Sequence, residues 1–238
     1  MQRTLARRLM AEAVGTCLLL SAIVGSGIMG EQLAAGNVAI ALLANTLATG
    51  AALVALLLTF GPISGAHFNP AVTLADASQG GLPWHEVPLY LGAQVSGAFA
   101  GVATAHLMFE TPVFFASRHA RSGPAQVFSE FVATFGLLAV IWGCARVRSS
   151  VVPFAVASYI TAAYWFTAST SFANPAVTLA RSATDTFAGI RPTDAPAFII
   201  AQLLGAAAAT ALFRWLVPTL PDVAPTIVVP RSDEVESP

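Results

Sequence analysis

One seven-residue run, NPAVTLA, occurs twice in this chain, at Asn69–Ala75 and again at Asn174–Ala180. Seven identical residues within 238 do not recur by chance at any appreciable rate, so the sequence contains an internal repeat. The polar residues around the two copies match in order: Glu12 precedes and Gln94 follows the first, and Glu130 precedes and Gln202 follows the second. We therefore expect two related halves, at about residues 1–115 and 120–218.

Long apolar stretches surround both copies of the run. A helix that crosses a bilayer needs roughly 20 mainly apolar residues, and six stretches reach or approach that length. Their few polar residues are small, so none shows the polar stripe of a soluble helix. The predicted spans are about Leu9–Met29, Val38–Phe60, Val87–Phe109, Val127–Ala145, Val151–Phe166 and Ala195–Val217. The sequence therefore predicts an all-α, polytopic membrane protein.

The charge content excludes several other classes of protein. Only 10% of the residues are charged, against about 25% in an average soluble protein. All 11 basic residues are Arg, the net charge is -1, and no basic patch stands out, so we expect no nucleic-acid partner. Cys17 and Cys144 form neither a disulfide framework nor a metal site and are interpreted as small packing residues.

Each half has three spans, an odd number, so the second half starts on the other side of the membrane and has the opposite orientation to the first. Such an inverted-topology repeat is related by a pseudo-twofold axis in the membrane plane. Both termini then lie on one side, and the excess of Arg on that side predicts that it is cytoplasmic. The cytoplasmic set is Arg3, Arg7, Arg8, Arg146, Arg148, Arg214 and Arg231, against Arg118, Arg121, Arg181 and Arg191 on the other side. Residues 219–238 are predicted to be a mobile, Pro-rich tail.

Each repeated run has the signature of a helix start. Asn is a favoured N-cap, and Pro at the first helical position gives up only an N–H without an intrahelical partner. Helices of about 8–10 residues cover about 12–15 Å, roughly half of the hydrocarbon core. We expect two half-helices that enter from opposite faces and meet near the midplane at Asn69, Pro70 and Ala71 and at Asn174, Pro175 and Ala176.

Two helix N-termini that meet at the midplane determine which solutes are favoured there. Each contributes about half a positive charge, and the Asn69 and Asn174 amides add N–H donors. Neutral hydrogen-bond acceptors such as water or an alcohol are favoured there. Cations are repelled and a proton wire is unfavourable, as in aquaporin-type pores.

The runs SGAHFNPAVT (Ser64–Thr73) and FANPAVT (Phe172–Thr178), with the glutamates of the first and fourth spans, resemble the aquaporin/aquaglyceroporin (major intrinsic protein) family. The resemblance covers about residues 5–217. It implies a single channel domain over 1–218, with six transmembrane helices plus two re-entrant half-helices, and a homotetramer. It also implies that Glu12 and Glu130 brace the loops before the half-helices, with His67 as a further brace of its loop or of the cytoplasmic mouth.

The chain departs from the family pattern after the second Asn-Pro-Ala. Most members have Arg there, in the narrowest constriction, whereas this chain has Val177. Counted by spacing from the two motifs, other positions of the family's selectivity filter correspond to Thr49 and Ser171. A gapless count gives Ala162 as the fifth-helix position, although the longer loop leaves Thr161 or Ile160 as alternatives. We expect a wide, weakly polar constriction.

Arg181 offers a partial replacement for the missing charge. It lies four residues after Val177, one helical turn further on the same face and about 6 Å nearer the extracellular vestibule. Our hypothesis is an electrostatic screen at the mouth of the pore. The alternative is a salt bridge or a side chain that extends to the membrane interface.

These features predict a passive channel for small uncharged solutes: water, glycerol-like polyols and neutral metalloid hydroxides such as arsenite, as related aquaglyceroporins pass. We expect a multi-pass protein of a bacterial inner membrane, with no catalysis, no cofactor and no metal. One alternative is a water-selective aquaporin. Another is an ion-coupled secondary transporter, because inverted repeats with broken helices also build transporters.

Overall fold

The computed structural model describes residues 4–145 and 149–217, and within these ranges it is all-helical. Six long helices and two short ones follow each other along the chain, with a 3₁₀ turn at Ser149–Val151. The helices are α1 (Leu5–Leu33), α2 (Val38–Ser64), α3 (Pro70–Ser78), α4 (Val87–Met108), α5 (Pro124–Ala145), α6 (Val152–Phe166), α7 (Pro175–Arg181) and α8 (Ala195–Leu216). The predicted fold class is confirmed.

The long helices differ in how well they match a membrane span. Within the described residues, α1, α2, α5 and α8 are long and apolar enough to cross a bilayer, and α6 is a shorter apolar helix. α4 is 22 residues long, which corresponds to about 33 Å of helix. α1 extends four residues beyond the predicted span at each end, to Leu5 and Leu33.

Packing between the long helices repeats in the two halves. α1 packs against α2 and α4, and α5 packs in the same way against α6 and α8, while α2 and α6 join the halves. The core between them is formed by buried apolar side chains of all these helices. Glycines permit the closest crossings: Gly97 of α4 faces the Ala13 carbonyl of α1, and Gly205 of α8 faces the Phe131 carbonyl of α5.

Parts of the sequence predictions fall on residues outside the described ranges. The predicted tail at 219–238 lies there entirely. So do four of the arginines used for the predicted orientation, namely Arg3, Arg146, Arg148 and Arg231.

Replacement of Gly97 by Ala tests the α1–α4 crossing. An added Cβ would collide with the backbone carbonyl of Ala13, so we expect a loss of about 1–3 kcal/mol in the free energy of unfolding. Gly92→Ala on the same helix is the matched control, because Gly92 has open space around it. Thermal unfolding in detergent should show a lower Tm for Gly97→Ala alone. Equal Tm values for the two variants would contradict the close crossing.

Candidate functional site

The two half-helices begin as their sequence predicts. The Asn69 side chain accepts a hydrogen bond from Ala71 N, and the Asn174 side chain accepts hydrogen bonds from Ala176 N and Val177 N. Pro is the first residue of both helices. α3 has nine residues, within the predicted length of about 8–10, whereas α7 has seven and is shorter than predicted.

The two Asn side chains also connect the half-helices to each other. Asn69 Nδ2 donates to the carbonyl of Ala173 at 2.8 Å, and Asn174 Nδ2 donates to the carbonyl of Phe68 at 2.8 Å. Each loop therefore receives a hydrogen bond from the Asn of the other half. An amide group has two N–H donors, so each Asn keeps one donor for a solute.

Buried carboxylates hold the loops that lead into the half-helices. Glu12 accepts hydrogen bonds from His67 N and Phe68 N, at 3.0 and 2.8 Å. Two side chains, those of Ser64 and Gln94, also donate to it. Because Glu12 is completely buried, these four donors replace the water that an ionised carboxylate requires.

Glu130 has the corresponding position in the second half. It accepts hydrogen bonds from Phe172 N and Ala173 N, both at 2.8 Å, and from Gln202 Nε2 at 2.6 Å. Ala173, like Phe68 in the first half, has a positive φ of 48°, a region that non-glycine residues rarely adopt. Hydrogen bonds from the loop to the carboxylate therefore stabilise an otherwise unfavourable backbone conformation.

Substitution of Glu12 by Gln should destabilise the fold. Gln has an NH₂ group in place of one carboxylate oxygen, so at least one of the four donors loses its acceptor. A buried donor without an acceptor costs about 1–3 kcal/mol. We expect Tm to fall by several degrees, since about 1 kcal/mol corresponds to roughly 2–4 °C for a chain of this size. Glu31→Gln at the exposed end of α1 is the control. An unchanged Tm for Glu12→Gln would show that the carboxylate does not hold the loop.

A narrow cavity of about 80 Å³ lies along the contact between the two halves. Seven of the fourteen residues predicted for the site line it: His67, Asn69, Asn174, Thr49, Ser171, Val177 and Arg181. Ser171 is 3% exposed, and its hydroxyl oxygen has no hydrogen-bond partner within residues 4–145 and 149–217. The half-helix N-termini, their Asn donors and the predicted filter residues therefore share one cavity.

Ala162, the predicted fifth-helix filter residue, does not reach this cavity. It is exposed on the outer side of α6. Ile160 and Tyr164 line the cavity instead, with Val152 and Val156 below them on the same helical face. The gapless count is wrong because the loop before Asn174 is longer than assumed, and a shift of two residues turns a helix position by about 200°. Ile160, one of the stated alternatives, is the residue that faces the cavity.

Three aromatic residues that line the cavity, Phe68, Tyr164 and Phe172, were not predicted from the sequence. Tyr164 Oη donates to Thr49 Oγ1 at 3.3 Å, which places a phenol ring at the predicted filter. Phe172 lines the same cavity. Aromatic side chains therefore line the cavity, and the expected width of the constriction stays a prediction. Once Ile160 is known to face the cavity, the i, i+4 spacing places Tyr164 on the same face of α6.

Arg181 is a buried residue of this cavity, only 2% exposed. Its Nε donates to the carbonyl of Ala188, and the guanidinium carbon lies 3.4 Å from the centre of the Phe172 ring. Among the described residues it forms no ion pair. The alternatives of a salt bridge and of a side chain at the membrane interface are therefore wrong. The cation borders the pore.

A second buried cation, Arg121, supports the loop beside Arg181. Its guanidinium donates to the carbonyls of Gly189, Ser169 and Phe187 and to the Thr170 hydroxyl. Burial lowers the pKa of Arg121 to about 10, so it stays protonated at neutral pH. No sequence pattern indicates this role of Arg121, because its partners are mostly backbone carbonyls far along the chain.

The first half has a different pair at the positions of Phe172 and Arg181. The residues two before and seven after Asn69 are His67 and Asp76, and His67 Nε2 lies 3.6 Å from Asp76 Oδ2. His67 Nδ1 is also 3.1 Å from Thr73 Oγ1. His67 thus contacts the half-helix that follows its loop. Among the described residues, no group of three His, Cys, Asp or Glu side chains is arranged to hold a metal ion.

Comparison with known proteins gives consistent matches along the chain. The model of the family "Major intrinsic protein" matches residues 1–163 and 144–236. Aquaglyceroporin AqpS of Rhizobium meliloti (strain 1021) is 59% identical over 212 residues, which cover 89% of this chain and 91% of that protein. The putative aquaporin NIP4-1 of Arabidopsis thaliana is 36% identical over 143 residues, 59% of this chain and 50% of that protein.

Among solved structures, the aquaglyceroporin from Plasmodium falciparum has the same fold. The two superpose with a TM-score of 0.71 at 22% identity, over 91% of this chain and 99% of that one. The resemblance seen in the repeated runs is therefore confirmed over both halves. This chain belongs to the major intrinsic protein family, a family of membrane channels.

Proposed function

We propose that this protein is a passive channel for small uncharged solutes: water, glycerol-like polyols and neutral metalloid hydroxides such as arsenite. The observation that carries the proposal is the meeting of two half-helix N-termini in one cavity, with Asn69 and Asn174 as donors. The fold offers a solute these donors and a positive potential. The aquaglyceroporin name of the relative with 59% identity supports passage of solutes larger than water.

We further propose that size and charge are selected at neighbouring but different places. Thr49, Val177 and Ser171, with Ile160 and Tyr164 replacing Ala162, would limit size. Arg181 would repel cations and donate hydrogen bonds to solutes. Only its Nε has a protein acceptor among the described residues, which leaves the terminal N–H groups of the guanidinium for solute oxygens.

The arrangement of the buried carboxylates favours a channel over an ion-coupled transporter. A transporter coupled through these glutamates would need a carboxylate that binds and releases a proton or a cation. Glu12 accepts four hydrogen bonds from the protein and Glu130 accepts three. These bonds fix both loops, so a transport cycle that broke them would also release the half-helices.

The remaining elements of the proposal concern the assembly and its placement. A single channel domain over residues 1–218 would have both termini in the cytoplasm of a bacterial cell, in its inner membrane. Four copies would form a homotetramer with one pore in each subunit. The apolar helices and the bacterial relative support this placement.

Val177→Arg should narrow the filter and add a second cation. We expect glycerol and arsenite permeability to fall about tenfold, which corresponds to about 1.4 kcal/mol of added barrier, while water permeability changes less. Light-scattering swelling of proteoliposomes measures all three fluxes. Val177→Leu is the control, because it adds length without charge.

Three outcomes of this experiment would contradict parts of the proposal. Undiminished polyol and arsenite flux in Val177→Arg would remove Val177 from the filter. Saturation of wild-type flux at low solute, with dependence on a proton or sodium gradient, would favour the transporter. Water flux without any glycerol or arsenite flux in the wild type would indicate the water-selective alternative.

Arg181→Leu should make the pore leak cations. The substitution removes a buried positive charge that has no ion-pair partner among the described residues, so the barrier to protons and sodium falls. A pH-sensitive dye inside proteoliposomes measures the leak. Arg118→Leu is the matched control, because the Arg118 side chain is 91% exposed and pairs with Asp185. Equal proton leak in Arg181→Leu and the wild type would exclude the screening role.

A further inference from the structure

A second cavity lies outside the pore, between the half-helix α3 and the last helix, α8. Its volume is about 730 Å³, within the roughly 300–1,000 Å³ range of small-molecule sites. Its walls are mainly the apolar and small side chains Leu74, Ala75, Leu203, Ala206, Ala207 and Ala211. We call it the α3–α8 cavity.

The α3–α8 cavity has an apolar interior and a polar mouth. Its deep end is Ala71, next to the N-cap of α3, and its mouth is formed by Ser78, Gln79, Arg214 and Trp215 at the C-terminal ends of α3 and α8. From Ala71 to Gln79 the helix rises about 12 Å. This rise is close to the hydrocarbon depth of one leaflet, half of about 30 Å.

The cavity opens sideways to the surroundings of the bundle. Leu203, Ala207 and Ala211 lie on one face of α8, four residues apart, and all three are exposed. In a membrane channel this outer face meets lipid. The occupant that reaches the cavity most directly is therefore a lipid chain.

The equivalent position in the first half is filled by protein. Alignment of Gln94 with Gln202 places Phe99 of α4 at the position of Ala207, and His106 at the position of Arg214. His106 is completely buried, with ring nitrogens 2.6 Å from the Val113 carbonyl and 2.7 Å from the Thr184 hydroxyl. The second half has a small residue where the first has an aromatic ring.

Polar groups at the mouth lack partners among the described residues. Arg214 is exposed and forms no hydrogen bond or ion pair there. Gln79 is 5% exposed, and although its Nε2 donates to Ser78 Oγ, its Oε1 has no donor. Trp215 is 76% exposed, as is typical of Trp at a membrane interface. The mouth thus offers a cation, a hydrogen-bond acceptor and an interfacial ring.

We infer that the α3–α8 cavity binds an anionic phospholipid of the leaflet that contains the C-terminal end of α8. One acyl chain lies along Leu74, Ala75, Ala207 and Ala211, and the phosphate pairs with Arg214. Gln79 Oε1 accepts a hydrogen bond from a headgroup hydroxyl. Opposite charge at the membrane surface and matching hydrocarbon depth both favour this occupant.

The chain after Val217 is the competing occupant, because it starts beside the mouth. Its prolines at 218, 221, 225 and 230 oppose helix formation. Non-helical backbone at the depth of Ala71 would leave N–H and C=O groups without partners in the hydrocarbon region. An acyl chain has no such groups, so it fills the apolar interior at lower cost.

Native mass spectrometry of the full-length protein, titrated with phosphatidylglycerol or phosphatidylcholine, tests this site. We expect one tightly bound phosphatidylglycerol per subunit, with phosphatidylcholine bound at least about tenfold more weakly. Ala207→Phe, which restores the residue of the first half, should block the acyl chain. Arg214→Gln should remove the preference for the anionic headgroup.

Two matched controls separate the site from general lipid binding. Ala197→Phe adds the same ring at an exposed position of α8 outside the cavity, and Arg7→Gln removes an exposed charge at the start of α1. Both should bind phosphatidylglycerol as the wild type does. Equal phosphatidylglycerol binding by Ala207→Phe and wild type would overturn the proposal. So would an absence of preference for phosphatidylglycerol in the wild type.

Discussion

The fold depends on satisfying two stretches of non-helical backbone in the middle of the bundle. Non-helical backbone at this depth is tolerated only where protein groups satisfy it or where it lines a water-filled cavity. Glu12 and Glu130 accept from the loop N–H groups, and the reciprocal bonds from Asn69 and Asn174 satisfy a carbonyl of the opposite loop. The same bonds that stabilise the loops hold the two half-helix N-termini together. The stability of the fold and the shape of the pore therefore have one origin.

The sequence predicts local features of this site well and distant contacts poorly. The Asn-Pro start of each half-helix depends on neighbouring residues, and both helices begin where the prediction places them. The bonds between Asn69 and Ala173, and between Asn174 and Phe68, join residues more than 100 positions apart, and spacing alone carries no signal for them. Ala162 was wrong for a related reason, because helix phase depends on the length of the loop that separates it from the motif.

The two halves share a backbone plan but differ in charge. In both, the residue two before the Asn contacts the residue seven after it. In the first half this contact joins His67 to the carboxylate of Asp76. In the second half the Arg181 guanidinium lies over the ring of Phe172. A guanidinium over a ring face is attracted by the ring quadrupole without being neutralised. The second half therefore keeps its full positive charge beside the pore.

We propose that this retained charge opposes cations in a channel that lacks the Arg after the second Asn-Pro-Ala. Val177 is short and lines the same cavity as Thr49, Ile160 and Tyr164. The charge lies one helical turn further, about 6 Å along α7, where Ala188 and Phe172 fix the Arg181 guanidinium. Coulomb repulsion acts over that distance in a site with little water, whereas steric exclusion acts only at contact. We therefore propose that substitutions at position 177 change the pore diameter without removing the barrier to cations, so that size selection and charge selection change independently.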